Sequence, residues 1–388
     1  MIQIDIAIIG GGISGLWLLN SFKSRGFRTL LFEKRSLGSG QTLASQGMIH
    51  GGVKYNLEGR MTNASESIKA MPAIWQQCLS GEIQPDLRNV KRLAERYYLF
   101  SDGNPGNRLM AFLGSKALQG NLRRLKTSEY PEPLNHQAFK GVVYELPDAI
   151  LDTADLITEL AKTHGSDLIL GSPQPVPDND KGISALTMTD GASVRAACYV
   201  FCAGSGNADL LTSSHLDVPM QIRPLHQVMV KGYDLPEFHA HAVGLRSGNK
   251  PRITITSHRT ADNGIVWYLG GELAETGVGR TASEQVGFAR QELKHIFPFV
   301  NFKSCQWVTL RVDRAEPMQH KQARPDQPFC KRLGNVIVCW PTKLTLVPLL
   351  SSRVLSLVTE TPSAVMDAAT TTNLQSPDIA LPPWETAF

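Results

Sequence analysis

The sequence predicts an α/β fold in two lobes, α+β in overall organisation: a Rossmann-like nucleotide-binding domain joined to a lobe built on an antiparallel sheet. Three observations predict it. The chain opens on a strand, a glycine-rich turn, a helix and a second strand ending in an acid, "IDIAIIGGGISGLWLLNSFKSRGFRTLLFEK". Short alternating runs such as "RITITSH" and "GIVWYLGG" follow in the second half. At 388 residues the chain is too long for one simple core.

Residues 4 to 9 are an apolar, β-branched run that suits a strand buried on both faces. Gly10, Gly12 and Gly15 follow in G-x-G-x-x-G spacing. Leu16, Leu18, Leu19 and Phe22 then trace a helix ending near Gly26. Gly10 permits the tight turn, Gly12 lets the backbone approach a pyrophosphate, and Gly15 lets helix and strand pack closely. The free N–H groups at the helix start, around Ile13 and Ser14, present the positive end of the helix dipole to phosphates. The run "TLLF" leads to Glu33, whose carboxylate suits ribose hydroxyls and disfavours a 2′-phosphate. Strand, helix, second strand and acid all stand where a dinucleotide site needs them.

That motif serves FAD and NAD alike. The next segment separates them. A nicotinamide dehydrogenase would continue with ordinary βα units, whereas this chain continues "EKRSLGSGQTLASQGMIHGGVKYNLEG". Such a Gly-, Ser- and Thr-rich loop can wrap a large flat cofactor with backbone and hydroxyl hydrogen bonds. FAD is therefore the expected cofactor, with Lys34, Thr42, Ser45 and Gly47 among its contacts. Gly47, Gly51 and Gly52 are expected to approach the isoalloxazine ring, leaving His50, Lys54 and Tyr55 near its reactive edge. The run "AACYVFCAGSGNADLL" offers a second backbone approach at Ala203 and Gly204. It lacks the third glycine of a full fingerprint, so no separate NAD(P)H site is expected. Electrons would leave to oxygen, a quinone or a carrier.

Composition narrows the rest. A net charge of +4 without a dense basic run does not call for nucleic acid, and is compatible with anionic substrates or peripheral membrane contact. The six cysteines form no C-x-x-C pair and read as small buried residues, with no metal site. With a strand starting almost at Met1 no signal peptide is expected, and with no run of about 18 apolar residues no membrane span is expected. The expected location is the cytoplasm, with peripheral contact at the inner membrane compatible.

The chain resembles the FAD-dependent oxidoreductases of the D-amino-acid oxidase superfamily. Within it, the chain is most similar to the flavin-dependent glycerol-3-phosphate and 2-hydroxyglutarate dehydrogenases. The residues that carry the resemblance are GGGISG with Glu33, the I-H-G-G-x-[RK]-Y stretch within 45 to 55, "VFCAG", "TLRVDRAEP" and "WPTKLTLVP". It implies a discontinuous FAD-binding domain of residues 1–85, 146–215 and 301–388, and a substrate domain of 86–145 and 216–300. "ILDTADLITELAKTHG" reads as an amphipathic helix capped by Asp152 or Thr153, and "TASEQVGFARQELKHIFP" as a helix closed by Pro298. The last 25 residues are Pro-, Ser- and Thr-rich without periodicity, and are expected to be loosely ordered.

A flavin takes a hydride from a C–H bond beside nitrogen or oxygen, while the protein places that carbon, receives a proton and anchors the polar remainder. His50 is a candidate base because imidazole titrates near working pH; the other reading is a hydrogen bond to the flavin or the loop. Some relatives attach flavin covalently to a histidine, which nothing in the sequence establishes for His50. Lys54 stands where glycerol-3-phosphate enzymes have arginine, and can still meet an anion as a point charge. Tyr55 would line the same pocket. By resemblance, Arg311 points at a substrate carboxylate or phosphate, with Arg314 the second candidate. Lys343 matches the lysine of a Gly-Gly-Lys motif, with Pro341 and Thr342 in place of the glycines. Lys343, Leu344 and Thr345 are then expected to hold the flavin's polar edge, and Lys343 to stabilise charge on the reduced ring. His226, Trp267 and Tyr268 read as core residues. The expected reaction is oxidation of a small anionic 2-hydroxy acid, polyol phosphate or amino acid, by a dehydrogenase or an oxidase. The alternatives are a deaminating amine oxidase and a flavin-binding protein without turnover.

Overall fold

A computed structural model of the chain describes residues 2–51, 68–101, 122–178, 182–243, 251–363 and 375–388. The opening strand, Ile2–Ile9, lies inside an eight-stranded sheet, parallel to Ser193–Phe201 on one side and Thr29–Glu33 on the other. Its last six residues are all buried, as a strand covered on both faces requires. Leu168–Leu170 continues the sheet beyond Thr29–Glu33, and Val336–Trp340 runs parallel to the end of Ser193–Phe201. Antiparallel strands Gln174–Pro177, Ile183–Thr187 and Phe329–Leu333 complete it.

The register positions the site. Ile9 pairs with Phe32 and with Phe201, and Phe201 pairs with Val338. These parallel strands therefore end at one edge, and the turns after them, at Gly10, Glu33, Cys202 and Pro341, emerge together. The carboxyl edge of such a sheet is where a ligand crevice forms.

Helix Ile13–Lys23 has ten of its eleven residues buried, because it is packed against helices Thr153–Lys162 and Val347–Leu357 as well as the sheet. Asn20 Nδ2 donates to Leu160 O at 2.9 Å, and the Ser21 and Ser351 hydroxyls meet at 2.9 Å. Asp152 caps Thr153–Lys162 by accepting from the N–H groups of Ala154 and Asp155.

The second eight-stranded sheet runs in the order Gln306–Pro317, Met220–Gly232, Ile265–Gly270, Ile253–Arg259, Ala240–Val243, Tyr97–Ser101, Val143–Leu146, Arg123–Arg124. All neighbours are antiparallel except Ala240–Val243 with Tyr97–Ser101. Side chains alternate between its faces. Val228, Val230, Trp267 and Ile255 enter a core that includes Ala289, Leu293 and Ile296 of helix Ala282–Ile296. Met229, Val266 and Tyr268 form a smaller cluster with Trp384.

Strand Gln306–Pro317, within the 301–388 piece, ladders with Met220–Gly232 from Met220↔Pro317 to Lys231↔Gln306. One expectation changes here. The C-terminal segment 375–388 is docked, not loose. Leu37 N donates to Asp378 O at 2.8 Å, Ala380 N donates to Leu37 O at 3.0 Å, and Trp384 is 3% exposed. Composition hides this, because one buried aromatic and one β-bridge anchor the segment without any periodic pattern. Among the described residues, no helix is long and apolar enough to cross a membrane.

Candidate active site

A cavity of about 880 Å³ opens at the carboxyl edge of the parallel sheet and is lined by residues from both sheets. It lies within the size range of cofactor and small-molecule sites.

The glycine-rich turn forms one wall. Gly10 has φ +115°, and a Cβ there would lie 2.7 Å from the Ala203 backbone. A Cβ on Gly15 would lie 1.9 Å from Gly10 O, which is the close helix–strand approach the spacing predicted. Gly12, Ile13 and Ser14 line the cavity, whereas Gly15 packs behind it. Thr42 Oγ1 accepts the Ile13 N–H at 3.1 Å, which leaves its own proton to donate into the cavity. Glu33 Oε2 accepts from Gly11 N at 2.7 Å and Oε1 from Arg35 N at 3.0 Å. Each oxygen retains accepting capacity for a hydroxyl. Lys34 and Ser45 also line the cavity.

Ala203 and Gly204 form the neighbouring wall. Asn207 is fully buried beneath them, where its Oδ1 accepts from Ala203 N at 2.8 Å. Trp340 Nε1 donates to Gly204 O at 3.0 Å. In the next turn Thr342 adopts φ +62°, a conformation that β-branched residues rarely occupy. The turn thus keeps a glycine-like bend although the glycine pair is absent. Lys343 and Leu344 line the cavity, with Lys343 Nζ 3.4 Å from Asp326 O.

Thr345 lies elsewhere. It is 1% exposed; its hydroxyl accepts from His50 N at 3.2 Å and lies 3.3 Å from Met48 O, and its carbonyl accepts from Trp75 Nε1 at 3.1 Å. Thr345 and the buried His50 are absent from the lining and join two segments behind the wall. Gly47 has φ +66° and a Cβ on it would lie 2.1 Å from Leu151 O, so the chain's own backbone explains this glycine. Lys54, Tyr55 and Gly52 lie outside the described residues.

Strand Gln306–Pro317 contributes cations. Arg311 and Arg314 both line the cavity. The Arg311 guanidinium donates to Val278 O at 2.9 Å and Arg280 O at 2.8 Å. Arg314 Nε donates to Arg223 O at 3.1 Å. Burial and the neighbouring Arg223 charge lower the Arg314 pKa, against the pull of Glu275 and Glu316. His226 is buried, with Nδ1 3.0 Å from Gly277 O, as a core histidine.

Sequence reasoning missed Gln46, Gln227 and the role of Tyr268. The Tyr268 hydroxyl lies 2.9 Å from Ala44 O and 2.5 Å from Gln227 Oε1, and Gln46 Nε2 donates to Tyr268 O at 3.0 Å. Alternation was the available signal: Trp267 and Tyr268 must face opposite sides of the sheet, so only one of them enters the large core.

The residues present fit a dinucleotide. The cradle at Gly10 and Gly15 would be filled by any Cβ, the helix start faces the cavity, and Glu33 stands at its rim. The family described as DAO, FAD dependent oxidoreductase, matches residues 5–339. A probable FAD-dependent oxidoreductase of Pseudomonas aeruginosa is 43% identical over 386 residues, 99% of this chain and 98% of that one. The crystal structure of the P. aeruginosa FAD dependent oxidoreductase superimposes with TM-score 0.85 at 40% identity, covering 100% of this chain and 99% of the other. The fold also matches L-α-glycerophosphate oxidase from Mycoplasma pneumoniae with FAD bound, at TM-score 0.68 and 12% identity over 94% of this chain and 97% of that one. Glycine oxidase from Geobacillus kaustophilus matches at TM-score 0.65 and 19% identity, over 95% and 98% of the two chains. The chain belongs to the DAO family of FAD-dependent oxidoreductases, and FAD is its cofactor.

Proposed function

We propose that this enzyme oxidises a small anionic substrate, a 2-hydroxy acid, a polyol phosphate or an amino acid, at the cavity described above. The observation that carries this reading is the placement of Arg311 and Arg314 among the residues lining the cavity into which the glycine-rich turn opens. A planar guanidinium suits either a carboxylate or a phosphate. The Arg311 guanidinium is held by the Val278 and Arg280 carbonyls, and its remaining N–H groups are the ones proposed to meet the anion.

Bound FAD supplies the two-electron acceptor. Gly10, Gly12, Ile13 and Ser14 would hold the pyrophosphate, Glu33 a ribose, and the turn at Lys343 and Leu344 the flavin's polar edge. Lys343, whose Nζ lies 3.9 Å from Asp326 Oδ1, would bring a positive charge to that edge. His50 lies behind the described lining, so we assign the substrate's O–H or N–H proton to water at the cavity mouth. His50 and Thr345 then position the loop and the turn around the flavin. Lys54 and Tyr55 are proposed as further contacts of the anion. We place the lobe boundary near residue 318, following the pairing of Gln306–Pro317. The reading without turnover loses its main support, because Thr342 preserves the bend of the missing glycines.

Anaerobic addition of 2-hydroxy acids, glycerol 3-phosphate and amino acids to the holoprotein tests the proposal. One class should bleach the flavin absorbance, and ammonia release separates amine from alcohol oxidation. With that substrate Arg311→Lys should raise KM about tenfold or more with a smaller change in kcat. An unchanged KM would remove Arg311 from the substrate site. Re-oxidation by oxygen, a quinone or a carrier protein then distinguishes oxidase from dehydrogenase.

A further inference from the structure

The C-terminal segment crosses the cavity from one lobe to the other. It leaves the parallel sheet where Leu170 N donates to Gln375 O at 2.7 Å. It next pairs with the loop after Glu33, through Leu37 N to Asp378 O and Ala380 N to Leu37 O. Ala380, Leu381, Pro383 and Thr386 then line the cavity. Beyond that, Trp384 inserts against the antiparallel sheet. Its ring stacks on His258 at 3.5 Å between centroids and 15° between planes, beside Tyr268. The Glu385 carboxylate accepts the Ala261 N–H at 3.2 Å.

Leu381 points to a ligand independently. It is 68% exposed although it lines the cavity. An apolar side chain in that position gains from a flat cofactor laid against it. Trp384, in contrast, is 3% exposed and belongs to the Met229, Val266 and Tyr268 cluster. The segment is therefore anchored on both sides of an exposed Leu381.

We propose that residues 375–388 are a clamp belonging to the FAD site, held on one lobe at Leu37 and on the other by Trp384. FAD enters and leaves when Trp384 lifts from His258, and the bound cofactor covers Leu381. The inference rests on FAD being the cofactor and adds a segment that no motif in the chain marks.

The test measures FAD release from diluted holoprotein, followed by the rise in flavin fluorescence, with far-UV circular dichroism as the check on folding. Trp384→Ala and a chain ending at residue 374 should release FAD about tenfold faster or more. Wild-type release rates from the folded variants would overturn the clamp. Leu381→Ser covers the case in which loss of Trp384 prevents folding, because Leu381 is exposed. It should weaken FAD binding about threefold or more, and an unchanged dissociation constant would overturn the proposal. A wild-type chain that takes up no FAD would refute the cofactor assignment and the clamp with it.

Discussion

Replacing Gly15 by alanine should weaken FAD binding out of proportion to one methyl group. The new Cβ would lie 1.9 Å from Gly10 O, where real Cβ atoms keep at least 3.0 Å, so the helix and the turn must separate by 3.0 − 1.9 = 1.1 Å. Helix Ile13–Lys23 has little freedom to retreat. Ten of its eleven residues are buried, and Asn20 and Ser21 are tied to Leu160 and Ser351. Alanine's better helix propensity contributes about 1 kcal/mol in its favour. Overpacking opposes it by about 1–3 kcal/mol. The displacement falls on the pyrophosphate cradle, so we expect FAD affinity to drop about tenfold to hundredfold, or about 1.4–2.8 kcal/mol. Gly287→Ala is the control. It lies inside helix Ala282–Ile296 with nothing within 4 Å of a built Cβ. There the same change should stabilise by about 0.5–1 kcal/mol and leave FAD binding alone. Fluorescence titration of the apoproteins with FAD, together with urea unfolding, reads both effects. A Gly15→Ala protein that binds FAD within about twofold of wild type would refute the close-approach argument.

At Thr342 the usual order of alanine and glycine should invert. The left-handed backbone disfavours an L side chain by about 1–2 kcal/mol, against about 0.4–1 kcal/mol for glycine's unfolded-state entropy. Thr342→Gly should therefore exceed Thr342→Ala by about 0.5–1 kcal/mol in urea unfolding; alanine as the more stable variant would contradict the φ of +62°. Asp5 predicts a pH dependence. Burial alone would raise its pKa, but hydrogen bonds from Ser363 and Arg28 outweigh it and hold the carboxyl below 3.8. A depressed folded pKa stabilises fully above the unfolded value and loses its contribution as pH falls through the folded one. Asp5→Asn should thus destabilise by about 1–2 kcal/mol at neutral pH, and the gap should shrink near pH 3. An equal gap at both pH values would show that ionisation of Asp5 is not what stabilises the fold.

Local features were legible in the linear chain. The opening strand, Gly10, Gly15, the helix and Glu33 act on neighbours within one βαβ unit, so their spacing records their geometry. The same holds for the Asp152 cap, which bonds residues two and three positions on, and for the 253–259/265–270 hairpin, whose strands are neighbours in sequence. The Pro341–Thr342 turn was half legible: the missing glycines were visible, but not that Thr342 would hold their conformation.

Contacts between distant segments had no trace in spacing or composition. Thr345 reads as a cofactor residue, yet its hydroxyl faces His50 and Met48 behind the wall. Strand Gln306–Pro317 lies in the 301–388 piece, and its ladder with Met220–Gly232, 75 to 97 positions away (306 − 231 and 317 − 220), places it in the second sheet. Trp384 meets His258 across 126 positions (384 − 258), inside a tail whose composition signals disorder. A motif is readable when the residues that cooperate are neighbours in sequence. Which side of a wall a residue faces, and what covers the cavity, follow from burial summed over the whole chain, and only the folded structure performs that sum.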